Sequence, residues 1–220
     1  MIKKHLPVWL ILLLAVFAFN PANAQTFSNP APIALPGTGT GPGNANPYPS
    51  DITVAGVLNI TNLSITLFGL THTFPADLDI LLVGPTGLTV ILLSDAGGGT
   101  DVFNITFSFA TGFAQAPGTA LMNGAIYSPT NIGTTADTFP APAPAGPYGT
   151  TLTQYNGTVG NGIWSLYIVD DAAGDSGSFA GGWSISFNDA AIPEPTTYAL
   201  LAGGGLLFGL MAWKRRRVRA

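Results

Sequence analysis

The sequence predicts an all-β sandwich between residues 51 and 189. Three observations predict it. Short runs rich in β-branched and aromatic residues alternate with Gly- and Pro-rich turn signals. No eleven-residue window in this region keeps a helical period. No self-similarity at a 20 to 50 residue spacing is visible, which argues against a solenoid or propeller.

The first stretch, 1–24, reads MIKKHLPVWLILLLAVFAFNPANA. Lys3 and Lys4 form a charged start, Leu6 to Phe19 an apolar centre, and Ala22-Asn23-Ala24 a small-residue cleavage site. This is the pattern of a secretory signal peptide cut before Gln25 by signal peptidase. Residues 25–50, rich in Pro, Gly, Asn and Thr, carry no hydrophobic period and are expected to be a flexible linker. Strand-like runs then follow at Ile52–Ile60, Leu63–Leu70, Leu78–Val83, Leu88–Leu93, Val102–Phe109, Ile163–Val169 and Trp183–Phe187. Gly84-Pro85-Thr86-Gly87 marks a tight turn between two of them. The connection from Thr134 to Thr150, TTADTFPAPAPAGPYGT, lacks a core pattern and is expected to be a mobile surface loop.

The chain closes with three pieces in direct succession: a linker and Pro193-Glu194-Pro195 in 190–195, an apolar run at 196–213, and a basic tail at 214–220. At a helical rise of ~1.5 Å per residue the apolar run spans ~27 Å, just short of a ~30 Å hydrocarbon core. A single transmembrane helix is expected there. Trp213 stands where an interfacial aromatic belongs, and the arginines after it are expected on the cytoplasmic side. Gly205 and Gly209 fit a small-xxx-small helix-pairing pattern, to which no dimer is assigned. From Ile192 to Arg219 this order resembles the PEP-CTERM sorting signal of Gram-negative bacteria. The resemblance implies an inner-membrane anchored precursor that an exosortase processes, with loss of the helix and tail.

The charges are sorted in the same sense. All seven Lys and Arg lie in the two terminal segments, and the ten aspartates all lie between Asp51 and Asp189. Both basic ends are expected to stay in the cytoplasm while the acidic middle crosses. A body without Lys or Arg cannot neutralise phosphates, so nucleic acid is excluded as a partner. There is no cysteine, so no disulfide supports the fold after export.

Two blocks stand out within the strands. One is His72-Thr73-Phe74-Pro75-Ala76-Asp77-Leu78-Asp79-Ile80-Leu81-Leu82-Val83-Gly84-Pro85-Thr86-Gly87. The other is Asn161-Gly162-Ile163-Trp164-Ser165-Leu166-Tyr167-Ile168-Val169-Asp170, with Gly174-Asp175-Ser176-Gly177 and Gly182-Trp183-Ser184-Ile185 after it. Together they resemble the P domain (P/Homo B) that follows the catalytic domain in kexin- and furin-like subtilases. The resemblance runs from about Asp51 to Asn188 and implies a β jelly roll. In that family the domain stabilises and tunes a protease and does not cut peptides itself, so no catalytic residue is expected.

Three site chemistries are open to these residues. Asp175-Ser176-Gly177 imitates the nucleophile loop of trypsin-like proteases, and its base would have to be His72, the one histidine left after export. The same residues are what a turn between strands requires. The stronger candidate is a structural calcium held by Asp77, Asp79, Asp170, Asp171 and Asp175. Asp77 and Asp79 alternate, so on one strand both would leave the same face. On a buried face they would need a cation, since no Lys or Arg exists to pair them; on a solvent face they need nothing. Gly97-Gly98-Gly99-Thr100-Asp101 is a weak echo of a nonapeptide calcium repeat. Finally, Tyr127, Tyr148 and Tyr155 flank the long loop and could stack on glycan.

The expectation is therefore an exported, non-catalytic P-domain module, sorted by an exosortase to the cell surface or extracellular matrix. Exopolysaccharide is one candidate partner there. The alternative is an accessory domain for a separate subtilisin-like serine endopeptidase.

Overall fold

The computed structural model describes residues 24–133 and 136–189. Thirteen strands form two sheets: β1 (Ala24–Asn29), β2 (Ile33–Leu35), β3 (Gly43–Asn44), β4 (Ser50–Val54), β5 (Ile60–His72), β6 (Leu78–Val83), β7 (Thr89–Ser94), β8 (Val102–Ala110), β9 (Ile126–Tyr127), β10 (Thr130–Asn131), β11 (Gly162–Asp170), β12 (Gly177–Phe179) and β13 (Trp183–Asp189). In the first sheet the long β5 pairs with β8 on one side, and with β13 and then β12 on the other. Strand β1 extends this sheet beyond β13, β2 beyond β12, and β9 beyond β8. The second sheet runs β10-β7-β6-β11-β3, with β4 also on β11. Most pairings are antiparallel; β7–β10 and β8–β9 are parallel.

Alternation along the strands builds the core. Ile65 and Leu67 of the first sheet face Ile80, Leu82, Leu92 and Trp164 of the second, all in one buried cluster. Trp164 is its centre. Its ring lies 4.9 Å from Tyr155 and 5.4 Å from Phe187, and its indole N–H donates to Gly160 O at 2.8 Å. Trp183 is also fully buried, and its N–H donates to Ser50 Oγ at 3.0 Å. Each indole thus keeps a hydrogen bond inside an apolar core, which a buried Trp requires.

Two expectations fail here. Residues 25–50 are not a flexible linker. They supply β1, β2 and β3, and Ile33 and Leu35 are buried in the main core. These strands are too short to show a period, and extended backbone rich in Pro and Gly is compatible with sheet edges. The stretch before Asp51 is therefore part of the domain.

The described part of the 134–150 connection is not a free loop either. Phe139 is buried against Leu81, Ile91, Tyr167 and Val169, on the outer face of the second sheet. Tyr48 and Tyr148 close the same cluster, with edge-on rings at 5.0 Å from Tyr167 and 5.3 Å from Phe139. A proline-rich segment loses little backbone entropy on ordering, so few aromatic contacts suffice to fix it.

Among the described residues no helix is long and apolar enough to cross a membrane. The expected signal peptide except its last residue, Ala24, which opens β1, lies outside the described residues, as do the Pro193-Glu194-Pro195 motif and the helix expected at 196–213.

Candidate functional site: the aspartate end

The chain turns at one end of the sandwich between β5 and β6, β7 and β8, and β11 and β12. Asp77, Asp79, Asp95, Asp101, Asp170, Asp171 and Asp175 lie on these connections or on the adjoining strand ends. Asp137 joins them through the long connection, accepting hydrogen bonds from Ser94 Oγ at 2.8 Å and Asn131 Nδ2 at 2.5 Å. Eight of the ten aspartates are thus gathered at this end, and residues 24–189 contain no Lys or Arg.

The aspartates fall into three settings. Asp170 points inward, opposite Leu78 in the β6–β11 ladder, and is fully buried. It meets His72 from the other sheet, Nε2 to Oδ2, at 3.3 Å. The backbone N–H of Phe74 donates to His72 Nδ1 at 3.2 Å, so the ring proton is on Nε2, facing the carboxylate. Burial holds the Asp170 carboxyl above its usual range, and His72 partly offsets this. Gly41 closes the lid. Its φ is +65°, and a side chain there would run into Ala172 O and approach Asp170 Oδ1.

This geometry gives the hydrolase candidate no support. The His72 ring is 1% exposed, Nδ1 accepts from Phe74 N–H, and Nε2 lies 3.3 Å from Asp170 Oδ2 without completing a hydrogen bond, so the imidazole is closed in rather than presented to a substrate.

Asp77 and Asp175 form the second setting. Asp77 lies on a 3₁₀ turn (Pro75–Asp77), so it is not strand-alternate with Asp79 and the two do not share a strand face. Burial first, then the neighbouring Asp175, push its carboxyl up to about 6. Asp175 accepts from Thr73 Oγ1 at 2.9 Å.

The third setting is a cavity of about 560 Å³ on the outer side of the second sheet. Asp79, Asp95, Asp137 and Asp171 line it with Pro42, Gly43 and Asn44. Asp79 is 5% exposed and faces Val169 across the β6–β11 ladder. Burial is the main cause pushing its carboxyl up to about 7; Ser94 pulls it down, while Asp137, Asp171 and Asp95 push it further up. Asp171 is raised likewise, by burial and then by Asp95. Ser94 Oγ has one proton and three carboxylates near it, so it cannot satisfy them all.

Of the five expected calcium ligands, the structure therefore brings only Asp79 and Asp171 into one cavity. It adds Asp95 and Asp137, which sequence reasoning missed. Asp170 turns away to His72, and Asp77 and Asp175 pair beside it. Among the described residues no group of three or more His, Cys, Asp or Glu is arranged as a ready-made metal site.

The tyrosine platform does not form. Tyr155 and Tyr127 are buried, their hydroxyls bonded to Leu82 O and to Met122 N respectively, and Tyr148 packs on Phe139.

A model of the PEP-CTERM protein-sorting motif matches residues 191–217, beginning two residues beyond the end of β13. Such a motif marks an exported protein, held as a membrane-anchored precursor and processed by an exosortase. None of the curated proteins matches the sequence. Among solved structures the chain is similar to the serine protease of Aeromonas sobria in complex with its chaperone, at 14% identity, with 77% of this chain and 27% of that one covered and a TM-score of 0.39. It is also similar to the same protease alone, at 14% identity, 75% and 26% coverage and a TM-score of 0.37. The chain thus spans about a quarter of the length of these proteins.

Proposed function

We propose that this protein is an exported, non-catalytic module with the P-domain jelly roll, delivered by an exosortase to the cell envelope, surface or extracellular matrix of a Gram-negative bacterium, where it binds or builds rather than cuts. The carrying observation is the sorting motif at 191–217, directly after the last strand. The two blocks that resemble the P domain supply the fold reading. Their residues serve the scaffold: Trp164 and Trp183 fill the core, and His72 and Asp170 join the sheets. The apolar segments at 1–24 and 196–213 are the two that processing removes under this reading. Mass spectrometry of the protein from its own host tests this. A mature chain beginning at Gln25 and lacking Arg215 to Arg219 is expected; a native product that keeps that tail beside a working exosortase overturns it.

The P-domain resemblance favours one second reading, an accessory domain acting in trans on a separate subtilisin-like endopeptidase. It predicts co-purification with such an enzyme from the host envelope.

We further propose calcium as a structural cofactor of the aspartate end. Its centre is the cavity with Asp79 and Asp171, completed by Asp95, Asp137 and backbone carbonyls, in place of the five-aspartate set expected from sequence. Calcium takes six to eight oxygens and readily includes carbonyls and water, so a preformed carboxylate trio is not required. A bound cation offsets the mutual repulsion of carboxylates that have no basic partner.

A further inference from the structure

The opposite end of the sandwich carries almost no charge. Strand β1 begins beside the end of β13, with Ala24 opposite Asn188, so the described chain enters and leaves the domain side by side. Asp189 is opposite Ile60, which places the start of β5 there too. Gly160 N–H donates to Val57 O, and Asn161 Oδ1 accepts from Val57 N–H, which ties the 55–59 and 156–161 turns together at the same end.

Four large apolar side chains are exposed here, among uncharged polar ones such as Thr61, Asn62 and Asn156. Leu58 is 54% exposed, Val159 48% and Ile163, on the first turn of β11, 57%. Phe113, just past β8, is 49% exposed, and β8 ends with Ala110 opposite Ser64 near the start of β5. Apart from Asp189, which ends β13, no charged residue belongs to these turns. At most about 14 Å of extended chain separates Asp189 from Pro193.

We propose that this terminus-bearing end docks directly on the lipid bilayer before processing, with the aspartate end turned away from it. The inference rests on the reading of the chain as a membrane-anchored, exosortase-sorted precursor. Three features favour lipid as the occupant. Both apolar terminal segments join the domain here, so the tether is short. The exposed aliphatic and aromatic side chains suit an interface. The carboxylates, which an anionic leaflet repels, sit at the far end. Contact of this kind is apolar, so it is insensitive to salt.

The chain has no cysteine, so single probes can be placed without altering a native thiol. Full-length protein carrying Val159→Cys, Ile163→Cys or Phe113→Cys is labelled with a fluorophore and reconstituted in vesicles of phosphatidylethanolamine and phosphatidylglycerol. Phe103→Cys is the control, an apolar and 83% exposed position beside Asp101 at the other end. Nitroxide-bearing lipids are expected to quench the first three probes several-fold more than the control, equally at low and high salt. Equal quenching at both ends, or none at Val159 and Ile163, overturns the proposal. So does contact that appears only when exosortase is added, because the partner is then a protein.

Protection of the 196–213 segment from protease is read in the same vesicles. A protected segment with unquenched probes defeats docking and leaves the sorting reading standing; an unprotected segment defeats both. The paired change Val159→Asp with Ile163→Asp is expected to reduce quenching at the Phe113 probe while leaving the segment protected.

Discussion

The His72–Asp170 pair is the residue on which the two sheets depend at their acidic end. It is buried, and no Lys or Arg stands within the domain to replace either partner. Removing one partner leaves the other buried without compensation, at a cost of roughly 1–3 kcal/mol. His72→Ala is therefore expected to lower stability by about that amount, measured by urea unfolding. Asp170→Asn keeps the shape and an oxygen acceptor for the Nε2 proton, so it should cost clearly less. If His72→Ala were instead harmless, the pair would contribute no net stabilisation. His72 ends β5, and its Nδ1 accepts a hydrogen bond from Phe74 N–H. Asp170 was expected from sequence as one of five calcium ligands. Only the register of β11 on β6, opposite Leu78, turns it inward.

At the scale of elements, the residues before Asp51 matter more than their composition suggests. Strand β1 covers the edge of β13 over six residue pairs, and Phe27 packs edge-on to Phe187 at 6.1 Å. Strand β2 buries Ile33 and Leu35. A fragment starting at Asp51 loses these and exposes two strand edges, which invites aggregation. It is expected to be insoluble or molten, whereas residues 25–189 should give a cooperative melt and dispersed NMR signals. The longer patterned strands were legible in sequence. Leu78–Val83 is found with unchanged ends, and β7, β8, β11 and β13 differ from expectation by a residue or two. The short strands β1, β2, β3, β9, β10 and β12 were not. Five of these have only two or three residues, and β1, AQTFSN, lacks the β-branched run that marks β6 and β7; their pairing is decided by distant partners.

The proline-rich cover illustrates the same limit, since its anchor is a single aromatic inside a run of Pro and Ala. Phe139→Ala should release that segment without unfolding the sandwich, because the side chain packs outside the main core. Early proteolytic cleavage between 136 and 150, with a global melting temperature lowered by only a few degrees, is the expected outcome. It would also open the cavity wall that Asp137 and Thr138 form.

Across the described domain, eight of the ten aspartates lie at one end, and that arrangement sets how stability depends on pH and cations. The carboxyls of Asp79 and Asp77 are raised to about 7 and about 6 in the fold. In the unfolded chain an aspartate titrates near ~3.9. The folded state therefore holds these protons more tightly, and the resulting stabilisation is complete below pH ~4. It is lost progressively as pH rises through 6 and 7. Calcium needs the ionised carboxylates, so its effect runs the other way. In chelator, the melting temperature should fall between pH 5 and pH 7.5. With calcium at about 100 times its dissociation constant, the gain is about 2.7 kcal/mol. For a domain of this size that is a rise of roughly 5–10 °C at pH 7.5. At pH 5 the same calcium should do little, because Asp79 is then protonated. Asp79→Asn should abolish the calcium response and flatten the decline in chelator, since both effects pass through the same buried carboxyl. Equal midpoints with calcium and chelator at pH 7.5 would remove the cation from the account while leaving the pH dependence to the raised carboxyls themselves.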